Sequence, residues 1–189
     1  MAASLVPTLE DLEAELGGFE DKRILVRCDF NVPIRDGQIA DDLRIRSAIP
    51  TVSWLLERGA SVVIGTHFGR PEGKYDERYS TEVLKGRLEQ LVPGVELLEN
   101  LRFNPGEVAN DQEFVDFLVG GAGGEAFDGY VNDAFGVSHR SHASVVGPPR
   151  RLPSAAGRLL EKEVQVLGDL RSSPKRPFVA VLGGAKVSD

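Results

Sequence analysis

The sequence predicts an α/β protein built on a parallel sheet. Two observations carry that prediction. Short apolar, β-branched runs alternate with longer stretches whose apolar residues step by three or four, which is the pattern of βαβ units with right-handed crossovers. Hydrophobic residues are 41% and charged residues 27% of 189 residues, an ordinary globular mix with apolar residues enough for a core.

The elements follow in order. Thr8 caps a helix from Leu9 to Leu16 that Gly17 and Gly18 stop. Arg23 to Arg27 reads as a strand. Val32 to Ile34 and Gln38-Ile39 flank Asp36-Gly37, a tight-turn pair, so a small hairpin follows. Ile45, Ile49, Val52, Leu55 and Leu56 form the apolar face of a helix from Leu43 to Arg58, with Pro50 as a potential kink and Gly59 as its end. Ser61 to Ile64 is a buried strand, Thr81 starts a helix to about Leu91, and Val95 to Leu98 is a strand. Asn110 or Asp111 opens a helix through Phe114, Phe117 and Leu118. Gly129 to Asn132 is a strand, Ala155 to Leu170 the longest helix, and Phe178 to Leu182 a last strand running into Gly183-Gly184. Ser172 to Pro177 reads as a linker, so that last strand is expected in a different body from the first four.

Charge narrows the function classes. Lys plus Arg is 22 against 29 Asp plus Glu, a net charge of −7. An acidic chain repels a polyanion, so a general nucleic-acid binder is not expected. One cysteine, Cys28, leaves no internal disulfide and no Cys-based zinc site. No stretch approaches the roughly 18 consecutive apolar residues of a membrane span. The opening MAASLVPTLEDLEAEL has no basic segment and is not a secretory signal. The expectation is a soluble cytoplasmic monomer without a membrane partner.

In open parallel sheets, ligands sit beyond the carboxyl ends of the strands. The first strand is followed by Asp29 and Asn31, the second by His67, Gly69 and Arg70. The third is followed by Asn100 and Arg102, and the fourth by Asn132, Asp133, His139, Arg140 and His142. Arg44 follows the hairpin. A single arginine is ordinarily solvated surface. Four at one sheet edge of an acidic chain point to an anion site, because guanidinium matches phosphate and carboxylate oxygens bidentately. Asp29 suits such a ligand if the ligand also offers a hydroxyl, as a phosphorylated hydroxy acid does. Three histidines are a weaker case for a metal, without a carboxylate pattern beside them, and no metal site is expected. Gly121 to Ala126 matches a G-x-G-x-x-A dinucleotide fingerprint but follows a helix, not a strand; it is expected to be a flexible loop. Gly183-Gly-Ala-Lys186 follows a strand and has amides and a lysine suited to phosphate, though a plain strand-end turn accounts for these four residues equally well.

These strand ends resemble phosphoglycerate kinase. The matching stretches are Arg27-Cys-Asp-Phe-Asn-Val-Pro33, Asp41-Asp-Leu-Arg-Ile45, Thr66-His-Phe-Gly-Arg-Pro71, Leu98-Glu-Asn-Leu-Arg-Phe103, Tyr130-Val-Asn-Asp-Ala-Phe-Gly136, His139-Arg-Ser-His142 and Leu182-Gly-Gly-Ala-Lys-Val187, in the family's order. The resemblance implies a three-layer fold, a parallel sheet with helices on both faces. It implies that Asp29, Asn31, Arg44, His67, Arg70, Arg102 and Arg140 hold 3-phosphoglycerate or 1,3-bisphosphoglycerate, with Arg44 also reaching the phosphoryl group in transit. Gly184, Ala185 and Lys186 match the start of the nucleotide site, Lys186 also assisting transfer. The implied reaction is glycolytic: reversible phosphoryl transfer between 1,3-bisphosphoglycerate with ADP and 3-phosphoglycerate with ATP, using magnesium.

The sequence departs from the family in places. Cys28 and Phe68 stand for the more usual Val and Leu, and Thr66 for Ser. Only one helix separates the Arg70 loop from Leu98, where the family has an additional strand and helix, so one edge strand–helix unit is expected to be missing. The expected layout is a phosphoglycerate-binding domain over 1–152, an interdomain helix over 153–171, and the first strand and turn of a nucleotide domain over 172–189. The chain alone is then expected to bind 3-phosphoglycerate, to bind ATP or ADP poorly, and to need a separate nucleotide domain for turnover. The alternative is a non-catalytic module on the same fold that binds a phosphometabolite or a protein partner.

Overall fold

A computed structural model describes residues 6–179, 181 and 183. The elements are α1 (Leu9–Leu16), β1 (Arg23–Cys28), β2 (Ile34–Arg35), β3 (Gln38–Ile39), α2 (Leu43–Leu56), β4 (Ser61–Thr66), α3 (Glu82–Leu91), β5 (Glu96–Leu97), α4 (Pro105–Ala109), α5 (Gln112–Val119), β6 (Gly129–Asn132), α6 (Ala143–Val146), β7 (Ser154–Ala156) and α7 (Arg158–Ser172). The main sheet is parallel, in the order β5-β4-β1-β6-β7, and β2 and β3 form a separate hairpin.

Strand period 2 sorts the core into two halves. Ile24, Val26 and Cys28 of β1, Val62 and Ile64 of β4, and Val131 of β6 face one way. They pack with Leu9 and Leu12 of α1, Ile45, Val52 and Leu55 of α2, and Leu84 and Leu88 of α3. Leu25, Val63 and Tyr130 face the other way, and lie side by side in the register Leu25↔Val63 and Leu25↔Tyr130. On that side Phe114, Val115 and Leu118 of α5 pack with Ala143 of α6 and with Leu101. Helices on both faces make three layers, as expected.

Local signals account for most boundaries. Thr8 and Asp11 form a capping box at α1, and Gly17 ends it in the left-handed region at φ 72°. Asp36 and Gly37 both take positive φ, at 49° and 74°, which suits the two-residue hairpin turn. Pro50 is accommodated in an α2 that runs on to Leu56. Asp111 caps α5 through the amides of Glu113 and Phe114.

Two expectations need correcting. Ala155 and Ala156 are not the start of the long helix. They belong to β7, which pairs with β6 in the register Val131↔Ala155 and Asn132↔Ala156, and α7 begins only at Arg158 after Gly157. Alanine's helix propensity is a weak preference, and the open edge of β6 overrides it. Of the last expected strand, Phe178, Val179 and Val181 are described; none lies in a strand and all are exposed. The sheet reaches from β4 to β5 through α3 and one short 3-10 turn, Glu77–Tyr79, so no further strand–helix unit lies between them.

Candidate functional site

The chain runs from β1 outward to β4 and β5, then returns to place β6 and β7 on the other side of β1. The crossovers therefore diverge at β1, which leaves a crevice at the carboxyl ends of the strands. There the segments after β1, β4, β5 and β6 meet.

Three arginines converge. Arg70, Arg102 and Arg140 line one cleft of about 410 Å3 with His142, Glu72, Gly73, Pro105 and Val108. Arg102 donates from Nη1 to the Gly69 carbonyl at 2.9 Å, while its Nε is buried with no hydrogen-bond partner. Burial pushes the Arg102 guanidinium down from its usual value, and the positive charges of Arg140, Arg27 and Arg70 push the same way. Such a cluster repels itself and favours an anion between its members.

A second group lies beside it. Arg44 is half-exposed at the start of α2 and is paired with Asp29 Oδ2. The other oxygen of Asp29 stands 3.8 Å from His67 Nε2. His67 is buried, and its Nδ1 faces Arg27 Nη2 at 3.3 Å. A guanidinium can only donate, so Nδ1 accepts and the ring proton sits on Nε2, towards Asp29. Burial, then Arg27, Arg102, His142 and Arg140, lowers the His67 pKa to about 2, and the ring is neutral. Gly136 is packed against this pair; a Cβ there would lie 2.9 Å from Asp29 Oδ2.

Hydrogen bonds fix the loops that carry these groups. Asn31 Oδ1 accepts from the Gly69 amide at 2.9 Å and ties the β1 loop to the β4 loop. Asn100 Nδ2 donates to the carbonyls of Phe68 and Tyr79, and its Oδ1 accepts from the amides of Phe68 and Arg102. Thr66 keeps the hydroxyl role of a serine, accepting from the Phe30 amide at 2.9 Å. Gly69 takes φ 60°, and a Cβ there would sit 2.2 Å from the Tyr79 ring, so glycine is required.

Asp29, Asn31, Arg44, His67, Arg70, Arg102 and Arg140 thus come to one edge of the sheet, with Arg44 bound to Asp29 and outside the three-arginine cleft. His139 is exposed while His142 is buried, and among the described residues no three His, Cys, Asp or Glu side chains gather as metal ligands. Gly184, Ala185 and Lys186 lie outside the described residues. The Gly121 to Ala126 segment is a turn between α5 and β6. Arg23 Nη1 donates to the carbonyls of Gly121 and Glu125, and a Cβ at Gly121 would lie 2.1 Å from the Glu125 oxygen. It sits at the amino end of β1, away from the cleft.

Two buried charges were missed in the sequence. Arg27 at the end of β1 is 1% exposed and Glu107 of α4 is 0% exposed. Their Nη2 and Oε1 are 3.8 Å apart. Charged residues are rarely this buried unless paired, and a sequence does not display such pairing; the placement of Arg27 directly after the apolar run Ile24-Leu-Val26 was the one available signal.

Comparisons with known proteins place the sequence and the fold. The sequence profile of the phosphoglycerate kinase family matches residues 14–97 and 93–189, two stretches that meet across β5. The phosphoglycerate kinase of Rubrobacter xylanophilus is 49% identical over 191 residues, covering 89% of this chain and 47% of the relative. That of Chlamydia abortus is 50% identical over 197 residues, covering 89% and 48%. The solved phosphoglycerate kinase of Coxiella burnetii superposes with a TM-score of 0.81 at 34% identity, over 90% of this chain and 48% of that one. The Pyrococcus horikoshii structure gives 0.78 at 36%, over 95% and 49%. The chain spans about half the length of the curated relatives it matches. On profile, identity and fold together, the chain belongs to the phosphoglycerate kinase family.

Proposed function

We propose that this chain is the acid-binding part of a phosphoglycerate kinase and holds 3-phosphoglycerate, or 1,3-bisphosphoglycerate, in the crevice at the end of β1. The observation that carries the reading is the cleft of Arg70, Arg102 and Arg140, with a buried Arg102 Nε that lacks a partner, in a chain of net charge −7. These three hold the phosphate far from the reacting end, by charge-assisted and bidentate contacts. Asp29 and His67 Nε2–H face the ligand's hydroxyl and carboxyl groups, and Asn31 holds the loop between them. Arg44 leaves Asp29 to neutralise the phosphoryl group in transit.

Phosphoryl transfer depends on positioning and on neutralising the equatorial oxygens. The family's other substrate is ATP or ADP with magnesium. Gly184, Ala185 and Lys186 are the residues of this chain that match the start of that site, Lys186 adding charge to the transfer. By itself the 189-residue chain is proposed to bind the acid and to turn nothing over, and to do so as a cytoplasmic monomer in glycolysis.

Calorimetry tests the binding. A single-site titration is expected with 3-phosphoglycerate and none with glycerate, which lacks the phosphate. Equal heats from both, or none from 3-phosphoglycerate, would overturn the reading. Nicotinamide nucleotides are expected to give no signal, since the glycine-rich turn leads from α5 into β6 and opens no helix whose amides could hold a pyrophosphate.

A further inference from the structure

A carboxylate lies against the groups around the arginine cleft. Glu107 sits in α4, whose first turn is set by Asn104 accepting from the Gly106 amide at 2.8 Å. Gly106 lets α4 approach α5, for a Cβ there would lie 2.9 Å from the Phe114 Cβ. The Glu107 side chain is fully buried. Oε1 accepts from Ser144 Oγ at 2.7 Å and Oε2 from the Ser144 amide at 2.9 Å. Oε1 also stands 3.7 Å from His142 Nδ1 and 3.8 Å from Arg27 Nη2. Burial pushes the carboxyl up, but His142, Arg27 and Ser144 together outweigh it and hold it below the usual carboxylate range.

What these neighbours do links Glu107 to the crevice. His142 lines the cleft itself. Arg27 donates from Nε to Ser144 Oγ at 2.8 Å, from Nη1 to the Cys28 carbonyl, and its Nη2 faces His67 Nδ1. One carboxylate therefore holds Arg27 through Ser144 Oγ and, through Arg27, faces His67, while His142 Nδ1 at 3.7 Å makes no hydrogen bond with it. A negative charge here opposes an anion in the cleft, and burying it is costly. Any gain for binding must then come from the hydrogen bonds that its two oxygens accept and the groups these hold, not from attraction of the anion.

We infer that Glu107 is a positioning residue for the anion site: through Ser144 it fixes the Arg27 guanidinium, and through Arg27 the tautomer and orientation of His67. The inference rests on the cleft being the 3-phosphoglycerate site, a role that Glu107 does not itself share by touching the ligand.

The sign of one substitution separates this from a plain structural role. Glu107→Gln keeps the shape and removes the charge. If Glu107 only supports the fold, its loss lowers the unfolding midpoint and leaves affinity of the folded chain unchanged; if only its charge counts, 3-phosphoglycerate binds tighter. Positioning alone predicts weaker binding, by about tenfold at a temperature where the variant is folded, since a charged hydrogen-bond network is released. The measurements are calorimetric Kd and the unfolding midpoint for wild type, Glu107→Gln and Ser144→Ala. Ser144→Ala keeps the carboxylate but removes its clamp to Arg27, and should also weaken binding. It decides the matter by the same criterion if Glu107→Gln does not fold. Unchanged or tighter binding in the folded variant overturns the inference while leaving the site intact. A wild-type chain that does not bind 3-phosphoglycerate overturns the site reading, and this inference with it.

Discussion

Arg102 carries a buried Nε without a partner and an Nη1 spent on Gly69, in the company of Arg70 and Arg140. Removing any one of the three by Arg→Ala is expected to weaken 3-phosphoglycerate binding by about 1.5–3 kcal/mol, the loss of a charge-assisted contact. Arg151, paired with Asp116 on the surface, is the control and should be silent. Arg87 of α3 would be a poor control, because it grips Asp42 through Nε and Nη2 at 2.9 and 2.7 Å, next to the start of α2 and Arg44. Equal losses at Arg102 and Arg151 in a calorimetric titration would mean general electrostatics. His67 adds a pH dependence. It protonates near 6.5 in the unfolded chain but only at about 2 in the fold. Between those values the unfolded state holds the extra proton, so stability rises with pH and is lost as pH falls below 6.5, by up to about 1.4 kcal/mol per unit. Urea midpoints at pH 7 and pH 5 should fall further apart in wild type than in His67→Gln; equal spacing would show that the ring titrates normally.

Elements that carry their own start and stop signals were legible: Thr8 and Gly17 around α1, Asp36-Gly37 in the hairpin, Asp111 before α5. β7 was not, because Ser154-Ala-Ala156 becomes a strand only when β6 offers an edge. The same limit applies to the site. Arg70, Arg102 and Arg140 could be read because they follow strands, whereas Arg27 and Glu107 sit inside elements, where pairing decides burial. Nor did the sequence reveal that Asn100 clamps Phe68, since a backbone-mimicking amide has no spacing rule. Asp133 shows how a strand end anchors a helix. It is buried, and its Oδ1 accepts from the amides of Leu159 and Leu160 in the first turn of α7. Burial raises its pKa, so the charge adds cost and the acceptor oxygen supplies the benefit. Asp133→Asn should therefore stay close to wild type in a denaturant melt. Asp133→Ala leaves two amides short of a partner and should cost about 1–3 kcal/mol. Similar losses in both would place the stabilisation in the charge.

At the scale of the whole molecule, the sheet gathers the residues proposed to hold the acid at one edge, and the proposed transfer needs the nucleotide in line with them. Effective transfer requires donor and acceptor held at reacting distance, with charge neutralised from both sides. Arg44 illustrates the need. In the structure it rests on Asp29, half-exposed, and does not join the three-arginine cleft. Its proposed task begins only when a nucleotide phosphate competes with Asp29 for it. With the chain spanning about half the length of its relatives, that competitor is expected to come from a nucleotide domain. The prediction is measurable 3-phosphoglycerate binding, negligible MgATP binding, and no ATP-dependent phosphorylation by the purified 189 residues. A coupled kinase assay checks it, with a nucleotide domain added in trans as the comparison. Turnover that appears only with the added domain and is lost in Arg44→Ala would support the division of labour. Steady turnover by the chain alone, surviving re-purification and abolished by Arg44→Ala, would place a complete nucleotide site within these residues.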